Sequence, residues 1–341
     1  MDALLEVREL QVDYPQRSGK NTRALQGVSF ALGVGEILGI IGESGSGKST
    51  LATAILGMLQ ENERILGGSI LLSSENVLEK TSRELREMRG GRVGIVFQEP
   101  SLALHPTKTI GVQVWEVLRA HCRLSRREAW ERVHETLTTV FGAEAKRISS
   151  SFPHELSGGQ KQRAAIAQAI VCGPEVIVAD EPTASLDTDT QHAIMSLFRE
   201  LQKKLRVAIV FITHNPILLA EFADRILVFY GGRIAEQGET KEVLASPRHP
   251  YTKMLLQCLP ELEARADRER PHKLPVVAGE PISFSILSQG CNFVPRCPEK
   301  MKICEQESPS LRKEGEAHEV SCFLFRGSEE ESDERAQTSE G

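Results

Sequence analysis

The stretch Gly42-Glu-Ser44-Gly45-Ser46-Gly47-Lys48-Ser49-Thr50 constrains this chain more than any other. A loop of the form G-x4-G-K-S cradles phosphate when a buried strand enters it and a helix leaves it. Both flanks are written here: Ile37 to Ile41 is a short apolar run, and Lys48 to Met58 has helical periodicity. The glycines let backbone N–H groups converge on phosphates. Lys48 reaches the β and γ oxygens, and the Ser49 hydroxyl offers a ligand to Mg²⁺. Ser44, Ser46 and Thr50 complete the same nucleotide-contacting run.

Leu5 to Tyr14, Val28 to Leu32, Gly68 to Leu72, Arg92 to Phe97, Val176 to Asp180, Val207 to Thr213 and Arg225 to Phe229 also read as strands. Several are continuous apolar runs, which implies strands buried on both faces and a mostly parallel α/β core. Between Ser101 and Pro153 the composition turns helical. Ser125-Arg-Arg-Glu128 is a capping box opening a helix to about Val140, and Ile110 to His121 reads as another. This insertion, about 101–155, predicts a helical subdomain. It presents a second anion grip, Leu156-Ser157-Gly158-Gly159-Gln160, a serine-capped, glycine-opened helix start whose N-terminus suits negative charge.

Acidic partners for the cradle follow. Glu175-Val-Ile-Val-Ala-Asp180-Glu181 is a buried strand with two carboxylates at its C-terminal end, where ligands of such sheets bind. Asp180 is placed to hold hydrated Mg²⁺, and Glu181 to orient or deprotonate an attacking water. His214, after an apolar strand, is a candidate contact of the γ-phosphate. Gln98, after another, is a candidate for Mg²⁺ or the water.

Bulk properties bound the class. With 341 residues, 40% hydrophobic and 26% charged, the composition is that of an ordinary globular protein. No apolar run approaches the roughly 18 residues of a spanning helix, and the opening MDALLEVREL has no signal-peptide pattern, so a cytoplasmic location is expected. The net charge of −6 sits mostly in the last fifteen residues, where Glu329, Glu330, Glu331, Asp333, Glu334 and Glu340 face only Arg335. Charge thus suggests neither nucleic acid nor anionic lipid as partner.

Four of the seven cysteines fall near the C-terminus as Cys291-x5-Cys297-x6-Cys304-x17-Cys322. Reduced thiols clustered in a loop-rich region favour a metal centre over disulfides, and the spacing admits zinc or an iron–sulfur cluster. His318 is a possible replacement ligand. Cys122, Cys172 and Cys258 read as isolated and structural. Domain bounds follow: 1–260 for the nucleotide domain, 261–277 for a charged linker, 278–326 for the cysteine-rich extension and 327–341 for a disordered acidic tail.

The phosphate loop, Gln98, LSGGQ at Leu156 to Gln160, Asp180-Glu181, Ser185-Leu186-Asp187 and His214 resemble, in order and spacing, the nucleotide-binding domain of ABC-type ATPases. That resemblance implies a P-loop α/β fold with an antiparallel β subdomain, a helical subdomain and a small loop-rich metal-binding extension. It implies two domains packed head to tail, with Ser157, Gly158, Gly159 and Gln160 of one closing over ATP held by the other. Tyr14 would stack on adenine, and Asp187 would serve communication across the dimer.

Pro247-Arg-His-Pro-Tyr-Thr252 and Gly290-Cys-Asn-Phe-Val-Pro-Arg-Cys-Pro298 look like the C-terminal extension of ATP-binding subunits from oligopeptide, dipeptide and nickel importers. The resemblance spans about 4–325. It implies a [4Fe-4S] cluster on Cys291, Cys297, Cys304 and Cys322, and a peripheral ATPase at the cytoplasmic membrane face. Its partners would be a second ATPase subunit, self or paralogue, two permease subunits and, indirectly, a solute-binding protein, with no nucleic acid. Members acting on nucleic acid usually carry two cassettes or a very long coiled-coil insertion, whereas this chain has one cassette and a short insertion. The alternative is a non-transport ABC ATPase acting on a macromolecule, with a zinc-stabilised interaction module. Leu104-His105-Pro106 departs from the usual Leu-Asn-Pro, at a position that faces the membrane subunits in the family.

Overall fold

The computed structural model describes residues 3–15, 21–59, 62–258, 289–315 and 317–325. The expected linker, the start of the extension and the acidic tail lie outside the described residues. The chain opens with β1 (Leu5–Pro15) and β2 (Asn21–Leu32), then β3 (Ile37–Ile41), the glycine loop and α1 (Lys48–Ile55). Next come β4 (Arg64–Leu72), β5 (Glu75–Asn76), α2 (Ser82–Met88) and β6 (Val93–Val96). The helical insertion holds α3 (Pro100–Ala103), α4 (Ile110–His121), α5 (Arg126–Phe141) and α6 (Ala145–Ser150), and α7 (Gly158–Ile170) leads out of it to β7 (Val176–Asp180). After α8 (Thr188–Leu205) come β8 (Ala208–Ile212), α9 (Ile217–Ala220), β9 (Arg225–Tyr230) and β10 (Arg233–Glu239). Last are α10 (Thr240–Ala245), α11 (Pro250–Gln257), α12 (Ile303–Gln306), β11 (Arg312–Lys313) and β12 (His318–Val320).

These strands make an antiparallel sheet, β2-β1-β4-β5, and a larger one ordered β11-β12-β10-β9-β3-β8-β7-β6. The larger sheet is parallel from β9 to β6 and antiparallel from β9 to β11. Alternation explains why its central strands are apolar throughout. Ile37 and Ile41, Ile177 and Ala179, and Ile209 and Phe211 enter one core cluster, shared with α4, α5, α7 and α8. Leu38 and Ile40, Val176 and Val178, and Val210 and Ile212 enter the other, shared with α1 and the antiparallel sheet. Each face has its own cover, so neither register position tolerates a polar side chain. Among the described residues, no helix is long and apolar enough to cross a membrane.

Between β6 and β7 the chain is helical. Ser125 and Glu128 complete the capping box, and Ala129, Val133, Leu137 and Val140 lie buried on one stripe of α5. Two expectations need correcting. β2 starts at Asn21, well before Val28. The cysteine-bearing segment is not loop alone: β12 pairs antiparallel with β10 and carries β11, so the extension continues the main sheet. β10 escaped reading because Glu236, fully buried, breaks its apolar pattern. Its carboxylate receives the N–H groups of Arg248 and His249 at 2.7 and 3.0 Å.

Candidate functional site

The cradle is shaped by close backbone approach. Gly42 and Gly47 have φ of 154° and 107°, and a Cβ on them would sit 2.3 Å from the Phe229 carbonyl oxygen and 2.6 Å from that of Ala24. Only glycine fits at such separations. Tyr14, Ala24, Ser44, Gly45, Gly47, Lys48, Ser49, Thr50 and Glu181 line one cavity over the N-terminus of α1. Lys48 is buried, its Nζ donating to the carbonyls of Gly42 and Glu43 at 2.8 and 2.9 Å. Burial lowers its pKa, opposed by the charges of Glu181, Asp180 and Glu43.

Carboxylates close the cavity from β7. Asp180 lies at its end beside the Ser49 hydroxyl; burial raises its pKa, and the Ser49 hydrogen bond counters that. Its Oδ1 is buried without a hydrogen-bond partner among the described residues. Glu181 follows with φ 47°, a left-handed conformation that costs a non-glycine residue about 1–3 kcal/mol and is met at functional sites. Its Oε2 accepts from Gln98 Nε2 at 3.3 Å and lies 3.4 Å from His214 Nδ1. The structure therefore joins Gln98, Glu181 and His214, which come from the ends of β6, β7 and β8.

The other expected residues are placed as follows. Tyr14 lines the cavity, its hydroxyl 2.9 Å from Thr50 Oγ1 and donating to Glu63. Burial pushes that phenol up to about 12. Ser157 caps α7, its hydroxyl accepting from Gln160 N–H at 3.3 Å while Gln160 Oε1 accepts from Ser157 N–H at 3.1 Å. Ser157 and Gly158 are exposed, and the segment Ser157-Gly158-Gly159-Gln160 is not among the residues lining the cavity of its own chain. Asp187 caps α8, accepting from Thr190 N–H at 3.0 Å and Thr190 Oγ1 at 2.7 Å, which lowers its pKa.

Cys291, Cys297, Cys304 and Cys322 line one small cavity together with Phe293 and Glu299. Burial raises the thiols of Cys291, Cys297 and Cys322, the last to about 11, and their mutual proximity raises them further. They converge, but no three His, Cys, Asp or Glu side chains among the described residues are arranged to hold a metal ion. The formed metal centre expected from spacing is to that extent corrected: the four thiols share a cavity without the arrangement of a metal site. His318 is not a substitute ligand. It is fully buried between Glu236 Oε1 at 2.6 Å and Glu242 Oε1 at 3.2 Å. Nor are Cys122 and Cys172 isolated: burial and then Cys122 push the Cys172 thiol up to about 12.

Sequence reading also missed the surroundings of Glu43, to which it assigned no role. Arg296 of the extension grips both its carboxylate oxygens, and the Tyr251 hydroxyl accepts from its N–H. No short-range signal joins positions so far apart in the chain.

A family model for the ABC transporter matches residues 25–184, and one for the oligopeptide/dipeptide transporter C-terminal region matches 235–304. The chain is 39% identical over 323 residues to a probable peptide ABC transporter ATP-binding protein, y4tR, of Sinorhizobium fredii, covering 94% of this chain and 95% of that protein. It is 40% identical over 308 residues to the oligopeptide transport ATP-binding protein OppD of Escherichia coli, covering 90% and 89%. Among solved structures, the dimeric bacterial ABC transporter cassette MJ0796 aligns with a TM-score of 0.62 and 29% identity, covering 70% of this chain and 99% of that one. The cassette cbiO1 of Clostridium perfringens, part of the ABC transporter complex cbiONQ, aligns with 0.63 and 32%, covering 72% and 92%.

Proposed function

Because the chain belongs to the ATP-binding proteins of peptide ABC transporters, we infer that it hydrolyses ATP to drive import of peptides or related small solutes. It works as a peripheral subunit at the cytoplasmic face of the membrane. Its partners are a second ATPase subunit and two permeases, with a solute-binding protein delivering cargo. The observation that carries this reading is Glu181, held by Gln98 and His214 at the mouth of a phosphate cradle.

In the reaction, Lys48 exchanges the carbonyls of Gly42 and Glu43 for the β and γ oxygens of ATP. The Glu181 carboxylate takes a proton from the attacking water, and Gln98 and His214 keep that carboxylate aimed. Ser49, Asp180 and Gln98 would hold Mg²⁺, whose charge steadies the transferring phosphoryl group. The unpartnered, buried Asp180 Oδ1 beside the Ser49 hydroxyl suits a hydrated cation. The Tyr14 ring would stack on adenine. The exposed Ser157 and Gly158, with the half-buried Gly159 and Gln160, would close over the ATP of the opposing subunit, and Asp187 would sense that contact.

The four cysteines facing one cavity support a [4Fe-4S] cluster as the resident group of the extension, with zinc as the competing ion; either would need thiolate ligands. Anaerobic purification with iron, sulfide and zinc analysis tests it, and protein free of both metals would rule out both. The alternative of an ATPase acting on a macromolecule is disfavoured, since the extension matches a transporter region. For the catalytic assignment, Glu181→Gln should lower kcat by about a hundredfold or more while retaining ATP and a doubled mass by light scattering. Turnover at the wild-type rate would remove Glu181 from its role.

A further inference from the structure

The phosphate cradle is anchored from outside by the C-terminal extension. Arg296 Nη1 and Nη2 donate to Glu43 Oε2 and Oε1 at 2.7 and 2.9 Å, a forked ion pair. The Arg296 side chain is 3% exposed, with Nη1 3.3 Å from the Tyr230 hydroxyl and the guanidinium 5.8 Å from that ring. From the cradle side, the Glu43 N–H donates to the Tyr251 hydroxyl at 2.9 Å, and the Glu43 carbonyl accepts from Lys48 Nζ at 2.9 Å. One residue thus joins the buried guanidinium to the ammonium that meets phosphate. Asn292, four residues before Arg296, donates to the Gly231 carbonyl at 2.8 Å, and the neighbouring Gly232 N–H donates to the Ser46 carbonyl at 2.9 Å. A single short loop therefore touches the cradle at Glu43 and backs it at Ser46 through the Gly231-Gly232 turn.

A glycine- and serine-rich loop has many conformations to lose when it receives a triphosphate, and a forked, charge-assisted clamp removes much of that loss beforehand. The converse also holds: a guanidinium this buried is costly without its carboxylate, so the pair is held together from both ends. We propose that Arg296 is a positioning residue for ATP binding, acting through Glu43 to preorganise the phosphate cradle. This rests on the ATPase reading above. The groups that aim the water, Gln98, Glu181 and His214, sit on other strands, so the clamp acts on the affinity for ATP rather than on the chemical step.

The test uses the full chain with its permease partners, measuring ATP hydrolysis and, separately, equilibrium binding of ATP. Arg296→Lys keeps the charge but not the fork and should raise KM and the binding constant for ATP about tenfold, with kcat within about twofold. Glu43→Gln, at a partly exposed carboxylate, should do the same and serves if Arg296→Lys folds poorly. The double variant should be no worse than the worse single, because both break one contact. Wild-type affinity for ATP in both singles, or losses that simply add in the double, would overturn the positioning role. Wild-type protein that fails to hydrolyse ATP would instead overturn the ATPase reading, whatever the variants do.

Discussion

His249 is buried, and its Nδ1 accepts from Tyr251 N–H at 3.0 Å as the cap of α11. Burial lowers its pKa from 6.5 to about 3, so the ring stays neutral in the folded state. The sign follows: between those two values the unfolded chain binds a proton that the folded chain refuses. Stability is therefore fully present above pH 6.5 and drains as pH falls, by up to about 1.4 kcal/mol per pH unit from this group. Urea unfolding at several pH values should show a shallower slope for His249→Asn, which keeps an acceptor for the Tyr251 N–H but does not titrate. An unchanged slope would assign the acid sensitivity elsewhere. At this scale, legibility depended on topology. Gln98, Glu181 and His214 follow β6, β7 and β8, neighbours in one parallel sheet, so a residue just past each strand had to fall beside the others. The Arg296–Glu43 pair, 253 residues apart, follows no such rule.

Among the helices that begin with a capping box, α5 and α7 both open on serine, and comparing them separates folding from function. Ser125 caps α5 with Glu128 inside the insertion, and Ser157 caps α7 with Gln160 at an exposed end. Either serine changed to alanine should cost about 1 kcal/mol of stability, readable by thermal or denaturant unfolding. Ser125→Ala should leave ATP turnover unchanged, while Ser157→Ala should lose most of it at the same stability as Ser125→Ala, if its hydroxyl and the following amides meet the opposing ATP as proposed. Equal turnover in the two variants would count against the second anion grip. Both caps were legible because a capping box is four residues long. Gly159 shows what was not: a Cβ there would lie 2.5 Å from Thr190 Cγ2, so the glycine also sets how closely α7 and α8 pack.

At the level of the molecule, the apolar strands announced a sheet covered on both faces, and the two core clusters are that cover. The last part of the sheet was hidden because its buried groups are polar. Glu236, His318 and the N–H groups of Arg248 and His249 satisfy one another inside, with no apolar alternation to betray them. Deleting the chain from residue 289 should therefore do more than remove cysteines. It would strip the buried Glu236 of His318 and the cradle of Arg296, and calorimetry should show a lower, broadened transition.

The hairpin of β11 and β12 has one more consequence. It covers a rim of β10 that would otherwise offer a row of open amides and carbonyls to any other chain. Shortened protein should then self-associate through strand addition, and light scattering at rising concentration would report it. The same extension that carries Arg296 thus also covers the open side of β10.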